Sequence, residues 1–160
     1  HLSALLTAFR DAGVRFEMGE NRISVSNPKI ILPVCVKTRE YPGFPTDLQA
    51  PFAVLMTQAH GESMIFETIF EGRLAYVEDL KRMNANIILC DPHRILVKGP
   101  TPLRARDIES PDLRAGLAFV IAALLANGES VIRNIYQIER GYERIDERLR
   151  RLGADIERVE

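Results

Sequence analysis

The sequence lacks several features that mark particular classes of protein. Its formal net charge is only −1, so no overall positive field attracts a polyanion and the composition does not support nucleic-acid binding. The two cysteines, Cys35 and Cys90, lie far apart in the chain without metal-ligand spacing. This argues against a disulfide framework and a zinc site and fits a reducing cytoplasm. We predict that both are buried core thiols.

Long hydrophobic runs and phosphate-binding glycine motifs are also missing. The longest apolar run, Ala115 to Ala126, is shorter than the roughly 20 residues that span a bilayer, and no secretory signal opens the sequence. The glycines form neither a P-loop nor a dinucleotide fingerprint, which disfavours nucleotide triphosphate hydrolysis and hydride transfer. We therefore predict a cytoplasmic protein without a membrane or nucleic-acid partner, a metal site or a cofactor.

What is present is typical of a globular protein. The 160 residues are 46% hydrophobic and 27% charged, which is enough to bury a core as a single domain over residues 1–160. The chain begins at His1, inside an amphipathic pattern. We therefore expect it to be a segment of a longer protein.

The hydrophobic pattern repeats one motif three times along the chain. In each copy a short helix leads through a turn into strands. The turn contains Gly13, Asn84 or Gly153, and asparagine tolerates the left-handed conformation that glycine adopts in such turns. The helices are predicted near residues 2–12, 76–83 and 142–152, and the strands near 14–25, 87–97 and 156–159.

Two further helices are predicted at 47–59 and 112–126. Each is apolar nearly all round and is followed by Gly-Glu-Ser and a β-branched strand, so these helices should lie inside with sheets around them. The predicted fold is a mixed α/β (α+β) fold of helix-strand-helix-strand-strand units. Proline-rich joints between the repeats are expected near 41–46 and 99–111.

The two apolar helices also open and close on similar charged residues. Asp47-Leu48-Gln49-Ala50 leads to Arg73, and Asp112-Leu113-Arg114-Ala115 leads to Arg140. Acid and base at the same ends of a repeat predict two equivalent edges of one cleft. Each aspartate is either an N-cap of its helix or an ionised general base, and position alone leaves both roles open.

Arg114 and Arg140 are candidate anion-binding residues. Guanidinium groups bind carboxylate and phosphate through paired hydrogen bonds, so the two would suit a small ligand that carries both groups. The alternative is that they pair with surface neighbours such as Glu139 or Glu143.

Four sequence words carry a family resemblance, and they occur in family order: residues 41–47 (YPGFPTD), 67–73 (ETIFEGR), 111–116 (PDLRAG) and 135–145 (IYQIERGYERI). They resemble the C-terminal portion of the UDP-N-acetylglucosamine 1-carboxyvinyltransferases, an enolpyruvyl transferase family, and the likeness extends over the whole chain. The 5-enolpyruvylshikimate-3-phosphate synthases share that architecture but resemble these words less well.

The resemblance implies most of the C-terminal catalytic domain of a two-domain enzyme, an inside-out α/β barrel built from three repeats. Such an enzyme transfers the enolpyruvyl group of phosphoenolpyruvate to the 3-hydroxyl of UDP-N-acetylglucosamine, a step in peptidoglycan precursor synthesis. The substrates would bind in a cleft shared with a missing N-terminal domain. The isolated segment should turn over substrate negligibly.

The resemblance also implies roles for individual residues. Asp47 would lie at the UDP-sugar and accept the proton of the 3-hydroxyl. Arg114 and Arg140 would hold the phosphoenolpyruvate carboxylate, and Asp112 would help to set the charged site.

Two more positions follow from the resemblance, and two family elements are missing. Ile69 would contact the UDP-sugar, and Arg73 would add positive charge near the cleft. The family's mobile loop with its reactive cysteine and its N-terminal lysine-asparagine pair have no counterpart here, and Cys35 and Cys90 do not replace them. We expect the missing elements to precede His1.

Two alternatives come from other functional classes. The first is a non-catalytic binding module that retains the fold, although a scaffold does not require Asp47, Asp112, Arg114 and Arg140 together. The second is an RNA-end-processing enzyme, because a similar repeat occurs in RNA terminal phosphate cyclases. The near-neutral charge and the absence of that family's histidine context argue against it.

Overall fold

The computed structural model describes residues 2–159, which form a mixed α/β fold of helices and short sheets. The helices are α1 (Ser3–Asp11), α2 (Gln49–Met56), α3 (Val77–Arg82), α4 (Leu113–Leu125), α5 (Tyr136–Glu139) and α6 (Ile145–Arg151). A 3-10 turn at Thr46–Leu48 leads into α2. Within the described chain, no helix combines the length and hydropathy needed to cross a membrane.

The eight strands of the described residues form three sheets. They are β1 (Arg15–Met18), β2 (Ile23–Ser26), β3 (Val36–Lys37), β4 (Gly61–Phe66), β5 (Asn86–Asp91), β6 (Arg94–Gly99), β7 (Asp107–Glu109) and β8 (Val131–Arg133). β1 and β2 form an antiparallel hairpin, β7 and β8 pair in parallel, and the largest sheet has the order β3-β4-β6-β5. In that sheet β3 runs parallel to β4 and the other pairs are antiparallel.

The core lies between this sheet and the two apolar helices. On β4 and β6, Ile65 pairs with Ile95 and Ser63 with Val97, and all four side chains are fully buried. The strands therefore alternate as a half-buried sheet requires.

Helices α2 and α4 pack against each other, which confirms the prediction of internal apolar helices. Helix α4 also packs against α5, with a close contact at Gly116. A Cβ on Gly116 would lie 2.3 Å from Ser110 Oγ and 2.5 Å from Ile138 Cγ1, so only glycine fits there. The last turn of α4 leaves the core, since Leu124 and Leu125 are exposed.

Helices α1, α3 and α6 end in the same way, which supports the three-fold repeat. Gly13, Asn84 and Gly153 have positive φ angles of 79°, 74° and 94°. At each of the three, the residue's own N–H and that of the next residue bond to carbonyls three and five positions earlier. This is the Schellman pattern, and it requires a residue that tolerates the left-handed region.

The structure corrects three expectations. Residues 156–159 form no strand, so the third unit ends without the strand that follows α1 and α3. β3 and β7 were not predicted, because segments of two or three residues carry little periodicity. Each pairs in parallel with the strand that follows an apolar helix.

The third correction concerns the cysteines, which are free thiols and exposed instead of buried. Cys35 alternates with the buried Val34 and Val36 in an extended segment, so its side chain faces the solvent side. Cys90 lies on β5, an edge strand, where the register shifts between Leu89 and Asp91. An apolar run therefore does not guarantee burial at a sheet edge.

Candidate active site

Asp47 lies between two arginines from different parts of the chain. Its Oδ1 accepts a hydrogen bond from Arg114 Nε and is 3.6 Å from Arg73 Nη1. The Asp47 side chain is 55% exposed, whereas those of Arg73 and Arg114 are only 16% and 29% exposed. The carboxylate therefore remains open to a ligand while the two cations are partly withdrawn from solvent.

Arg73 is placed by the loop after β4. Gly72, with φ of 68°, turns the backbone immediately before it. The guanidinium carbon then lies 4.5 Å from the centre of the Phe70 ring, where a cation is attracted to the aromatic face. Its Nη1 is buried and lacks a hydrogen-bond partner among the described residues, which leaves a donor available in the site.

Asp112 and Asp47 differ in their relation to the helices. Asp112 is the N-cap of α4 and accepts hydrogen bonds from the N–H groups of Arg114 (2.7 Å) and Ala115 (3.2 Å). Asp47 lies inside the 3-10 turn, and neither that turn nor α2 has a side-chain cap. The N-cap interpretation is right for Asp112 and wrong for Asp47.

The two repeats therefore differ in the use of their charges. Asp47 pairs with Arg114, from the other repeat, and Asp112 makes no ion pair in the part of the chain that the structure describes. The predicted equivalence of the two edges does not extend to the side chains.

A cavity of about 240 Å³ lies beside the Asp47 cluster, between the starts of α2 and α4 and the loop after β4. Its lining includes two arginines, two acidic residues and Tyr76, so an anionic group would be bound by the two guanidinium groups. Over residues 2–159, no group of three or more His, Cys, Asp or Glu side chains could hold a metal ion. The cavity is lined by Thr46, Ala50, Phe70, Glu71, Gly72, Arg73, Ala75, Tyr76, Pro111, Asp112, Arg114 and Ala115.

Arg140 and Ile69 lie outside this lining. Arg140 follows α5, is exposed, and donates through Nη1 to Gln137 Oε1 at 3.1 Å. Its guanidinium is thus engaged with Gln137, and the neighbouring Glu139 pairs with Arg158 at 2.6 Å. Ile69 is half-buried next to Phe70.

The sequence reasoning missed Tyr142. The pKa of its phenol is raised by burial and secondarily by the negative charge of Asp47, while Arg114 opposes the shift. The group is therefore a neutral hydroxyl within electrostatic reach of the Asp47–Arg114 pair. From the sequence, Tyr142 was predicted only as the first residue of a helix that follows Gly141.

Glu67 was also missed, although it opens one of the four family words. Its side chain is fully buried and accepts four hydrogen bonds. A charged residue at the end of an apolar strand, followed by threonine, was the available signal.

Tyr76 and Gln49 form a buried polar region behind the cavity. Burial is the main cause that raises the pKa of Tyr76 above its ordinary value, the nearby Gln49 side chain opposes the shift, and the charge of Glu67 adds to it. Neither the Tyr76 hydroxyl nor the Gln49 amide has a hydrogen-bond partner of normal geometry within residues 2–159.

Two sequence relatives match nearly the whole chain. The chain is 46% identical over 161 residues to the UDP-N-acetylglucosamine 1-carboxyvinyltransferase of Acidobacterium capsulatum, an alignment that covers 99% of this chain and 36% of the relative. It is also 46% identical over 159 residues to the enzyme of that name from Campylobacter hominis, covering 99% of this chain and 38% of the relative. The chain thus spans little more than a third of the relatives' length.

Solved structures share the fold. The enolpyruvyl transferase NikO from Streptomyces tendae superimposes with a TM-score of 0.89 at 29% identity, over 98% of this chain and 36% of that one. EPSP synthase from Acinetobacter baumannii superimposes with a TM-score of 0.70 at 17% identity, over 98% of this chain and 37% of that one. This likeness shows the fold alone. A sequence model of EPSP synthase (3-phosphoshikimate 1-carboxyvinyltransferase) matches residues 1–149. The chain therefore belongs to the EPSP synthase family.

Proposed function

We propose that this chain forms one side of the active site of an enzyme that transfers the enolpyruvyl group of phosphoenolpyruvate to the 3-hydroxyl of UDP-N-acetylglucosamine. The observation that carries the proposal is the placement of Asp47 between Arg73 and Arg114 beside a cavity. The sequence relatives named for this activity support the choice of substrates.

The proposed activity belongs to a longer protein. Because the chain spans about a third of its relatives, we propose that it contributes most of a C-terminal catalytic domain and that an N-terminal domain completes the cleft. The step would supply a peptidoglycan precursor for the cell wall, which links it to cell shape and the cell cycle. The two free cysteines are compatible with the cytoplasm as its compartment.

Asp47 acts as the general base in this proposal. The sugar hydroxyl oxygen adds to C2 of phosphoenolpyruvate while C3 takes a proton from a general acid in the remainder of the protein, and the hydroxyl proton passes to the Asp47 carboxylate. Loss of phosphate from C2 together with a proton from C3 then restores the double bond. In the structure Asp47 is held by Arg114. A substrate carboxylate that takes the Arg114 guanidinium would leave Asp47 free to accept the proton.

The other predicted residues support binding. Arg114 and Arg140 bind the carboxylate of phosphoenolpyruvate, for which Arg140 must turn from Gln137. Asp112 caps α4 and so fixes the backbone of Arg114. Ile69 contacts the UDP-sugar.

Replacing Asp47 tests the base directly. We expect Asp47→Asn in the full-length protein to lower kcat by roughly 10² to 10⁴-fold, as is typical when a general base is lost, with little change in Tm because Asp47 caps no helix. Phosphate release measures turnover, and thermal unfolding measures stability. Asp107→Asn is the matched control, since Asp107 is also exposed and paired with an arginine, Arg133, at 3.3 Å. Normal turnover in Asp47→Asn would refute the role.

A second candidate is transfer to a shikimate-type acceptor. The family model is described as EPSP synthase, and the EPSP synthase of Acinetobacter baumannii shares the fold. Amide NMR titrations of the protein with UDP-N-acetylglucosamine and with shikimate 3-phosphate distinguish the two. Shifts around Asp47, Ile69 and Arg73 with the UDP-sugar alone support the first candidate, and shifts with shikimate 3-phosphate alone support the second.

A further inference from the structure

We propose that Glu67 is a positioning residue that holds Asp47 and Arg73 at their working separation. It acts through hydrogen bonds to the two segments that carry them and does not touch the substrate. The inference rests on the proposed function, because it assigns Glu67 to the same site. Glu67 lies immediately after β4, and its side chain is fully buried.

One carboxylate oxygen of Glu67 holds the segment that carries Asp47. Thr46 Oγ1 donates to Glu67 Oε2 at 2.9 Å. Thr46 opens the 3-10 turn and directly precedes Asp47. This hydrogen bond therefore fixes the backbone from which the Asp47 side chain projects towards solvent.

The other oxygen holds the loop that carries Arg73. Glu67 Oε1 accepts from the N–H groups of Ile69 at 2.7 Å and Phe70 at 3.2 Å. The Phe70 ring is in turn the face against which the Arg73 guanidinium lies, 4.5 Å from the ring centre. Since Arg73 Nη1 is 3.6 Å from Asp47 Oδ1, Glu67 fixes both members of this ion pair.

Thr38 anchors the arrangement to the sheet. Its buried hydroxyl donates to Glu67 Oε1 at 2.9 Å and accepts from the N–H of Thr68 at 2.8 Å. Its backbone N–H donates to Phe66 O at 2.9 Å, at the end of β4. The carboxylate is therefore attached to the end of the sheet as well as to the two segments that carry Asp47 and Arg73.

The chemistry of the position argues against a role in stability alone. No Lys, Arg or His of the described chain forms a salt bridge with Glu67, so four hydrogen bonds must offset the desolvation of its carboxylate. An apolar residue of similar size fills a core site at lower cost. The carboxylate accepts hydrogen bonds from residue 46 and from residues 69–70 at the same time, which an apolar side chain cannot do.

Thr46→Val and Thr46→Ser test the inference in the full-length protein. Valine keeps the shape of threonine but removes the donor to Glu67, whereas serine retains it. We expect Thr46→Val to lower kcat about tenfold, as loss of one hydrogen bond to a charged group implies, with KM for UDP-N-acetylglucosamine nearly unchanged. Thr46→Ser should keep kcat within about twofold of the unmodified protein.

Glu67→Ala and Ser63→Ala complete the design. Both remove a buried hydrogen-bonding group near β4, but Ser63 binds Val34 N–H and Met56 sulfur and has no link to the loop. Both variants should lower Tm. Only Glu67→Ala should lower kcat per folded molecule, by more than Thr46→Val does, because it releases both segments.

The outcomes separate the two proposals. If Asp47→Asn is inactive while Thr46→Val and Glu67→Ala keep full kcat, Glu67 has only a structural role and the inference fails alone. A rise in KM with unchanged kcat in Thr46→Val would mean that Thr46, which lines the cavity, contacts substrate itself. If Asp47→Asn turns over normally, the proposed function fails, and the inference that rests on it fails as well. Equal losses of kcat in Thr46→Val and Thr46→Ser would also overturn the inference. Serine keeps the hydroxyl that donates to Glu67, so such a result would show that this hydrogen bond does not matter.

Discussion

At the scale of single residues, two acidic side chains near the cavity differ in their exposure. Asp47 is accessible and paired with two arginines, while Glu67 is fully buried and bound by hydrogen-bond donors. Tyr76 lies between the cavity and the buried region. Asp47 can exchange a proton with a ligand, whereas the oxygens of Glu67 are already occupied by four hydrogen-bond donors.

Tyr76→Phe should reduce the sensitivity of stability to alkaline pH. Burial raises the pKa of Tyr76 in the folded state above its unfolded value of about 10. The folded protein then retains this proton as pH rises above about 10 while the unfolded chain loses it, so stability present below that pH is lost above it. The variant removes this loss, and at neutral pH it also removes a hydroxyl without a hydrogen-bond partner of normal geometry in the described chain.

Urea unfolding at about pH 8 and about pH 11 measures this difference. Tyr136→Phe is the control, because Tyr136 is 57% exposed. An identical fall in stability for Tyr76→Phe and the unmodified protein would show that the Tyr76 phenol does not cause the alkaline loss.

At the scale of secondary structure elements, the three repeats share their helix ends more closely than their strands. Helices α1, α3 and α6 all end in a Schellman motif, yet hairpins follow only α1 and α3. The helix end depends on a single residue with positive φ. A strand also requires a neighbouring strand to pair with, and residues 154–159 lack one in the described structure.

Asn84→Ala should destabilise the protein by about 1–2 kcal/mol. Alanine is strained at the φ of 74°, and the variant also loses the hydrogen bond of 2.9 Å from Asn84 Nδ2 to Pro102 O. Asn84→Gly loses the same hydrogen bond without the strain. Urea unfolding should therefore rank alanine below glycine, and equal stabilities would contradict the proposed role of the left-handed turn.

At the scale of the whole molecule, we propose that the described chain forms one wall of a site that a further domain completes. The cavity beside Asp47, which Arg73 and Arg114 line, has a volume of about 240 Å³. This is small for a nucleotide sugar and phosphoenolpyruvate together, since pockets for drug-sized ligands occupy about 300–1,000 Å³. The hairpin of β1 and β2 also exposes apolar side chains, among them Met18 and Val25. Both features fit a wall that works with a further domain.

The chain of 160 residues alone should therefore release no measurable phosphate from phosphoenolpyruvate and UDP-N-acetylglucosamine. The physical reason is that Asp47 can accept a proton only from a hydroxyl that is held against C2 of phosphoenolpyruvate, and one wall cannot hold both substrates. A phosphate-release assay with a full-length relative as positive control measures this. Steady turnover by the isolated chain would show that it needs no partner domain.

The sequence alone was sufficient for the features that depend on local pattern. Apolar periodicity located α1, α2, α3 and α4, and turn residues such as Asn84 located the helix ends, because these depend on neighbouring residues. The four words were sufficient for the family, which the matching of residues 1–149 confirms. The roles of Asp47, Arg114 and the other named site residues remain predictions.

Only the tertiary structure decided which side chains meet. Asp47 and Arg114 are distant in sequence, yet they form an ion pair because α2 and α4 pack together. Burial of Glu67 and exposure of Cys35 and Cys90 also depend on which strands pair and which lie at an edge. Local periodicity contains no information about these long-range contacts, so the sequence identified the candidate residues and the packing of its elements determined their partners.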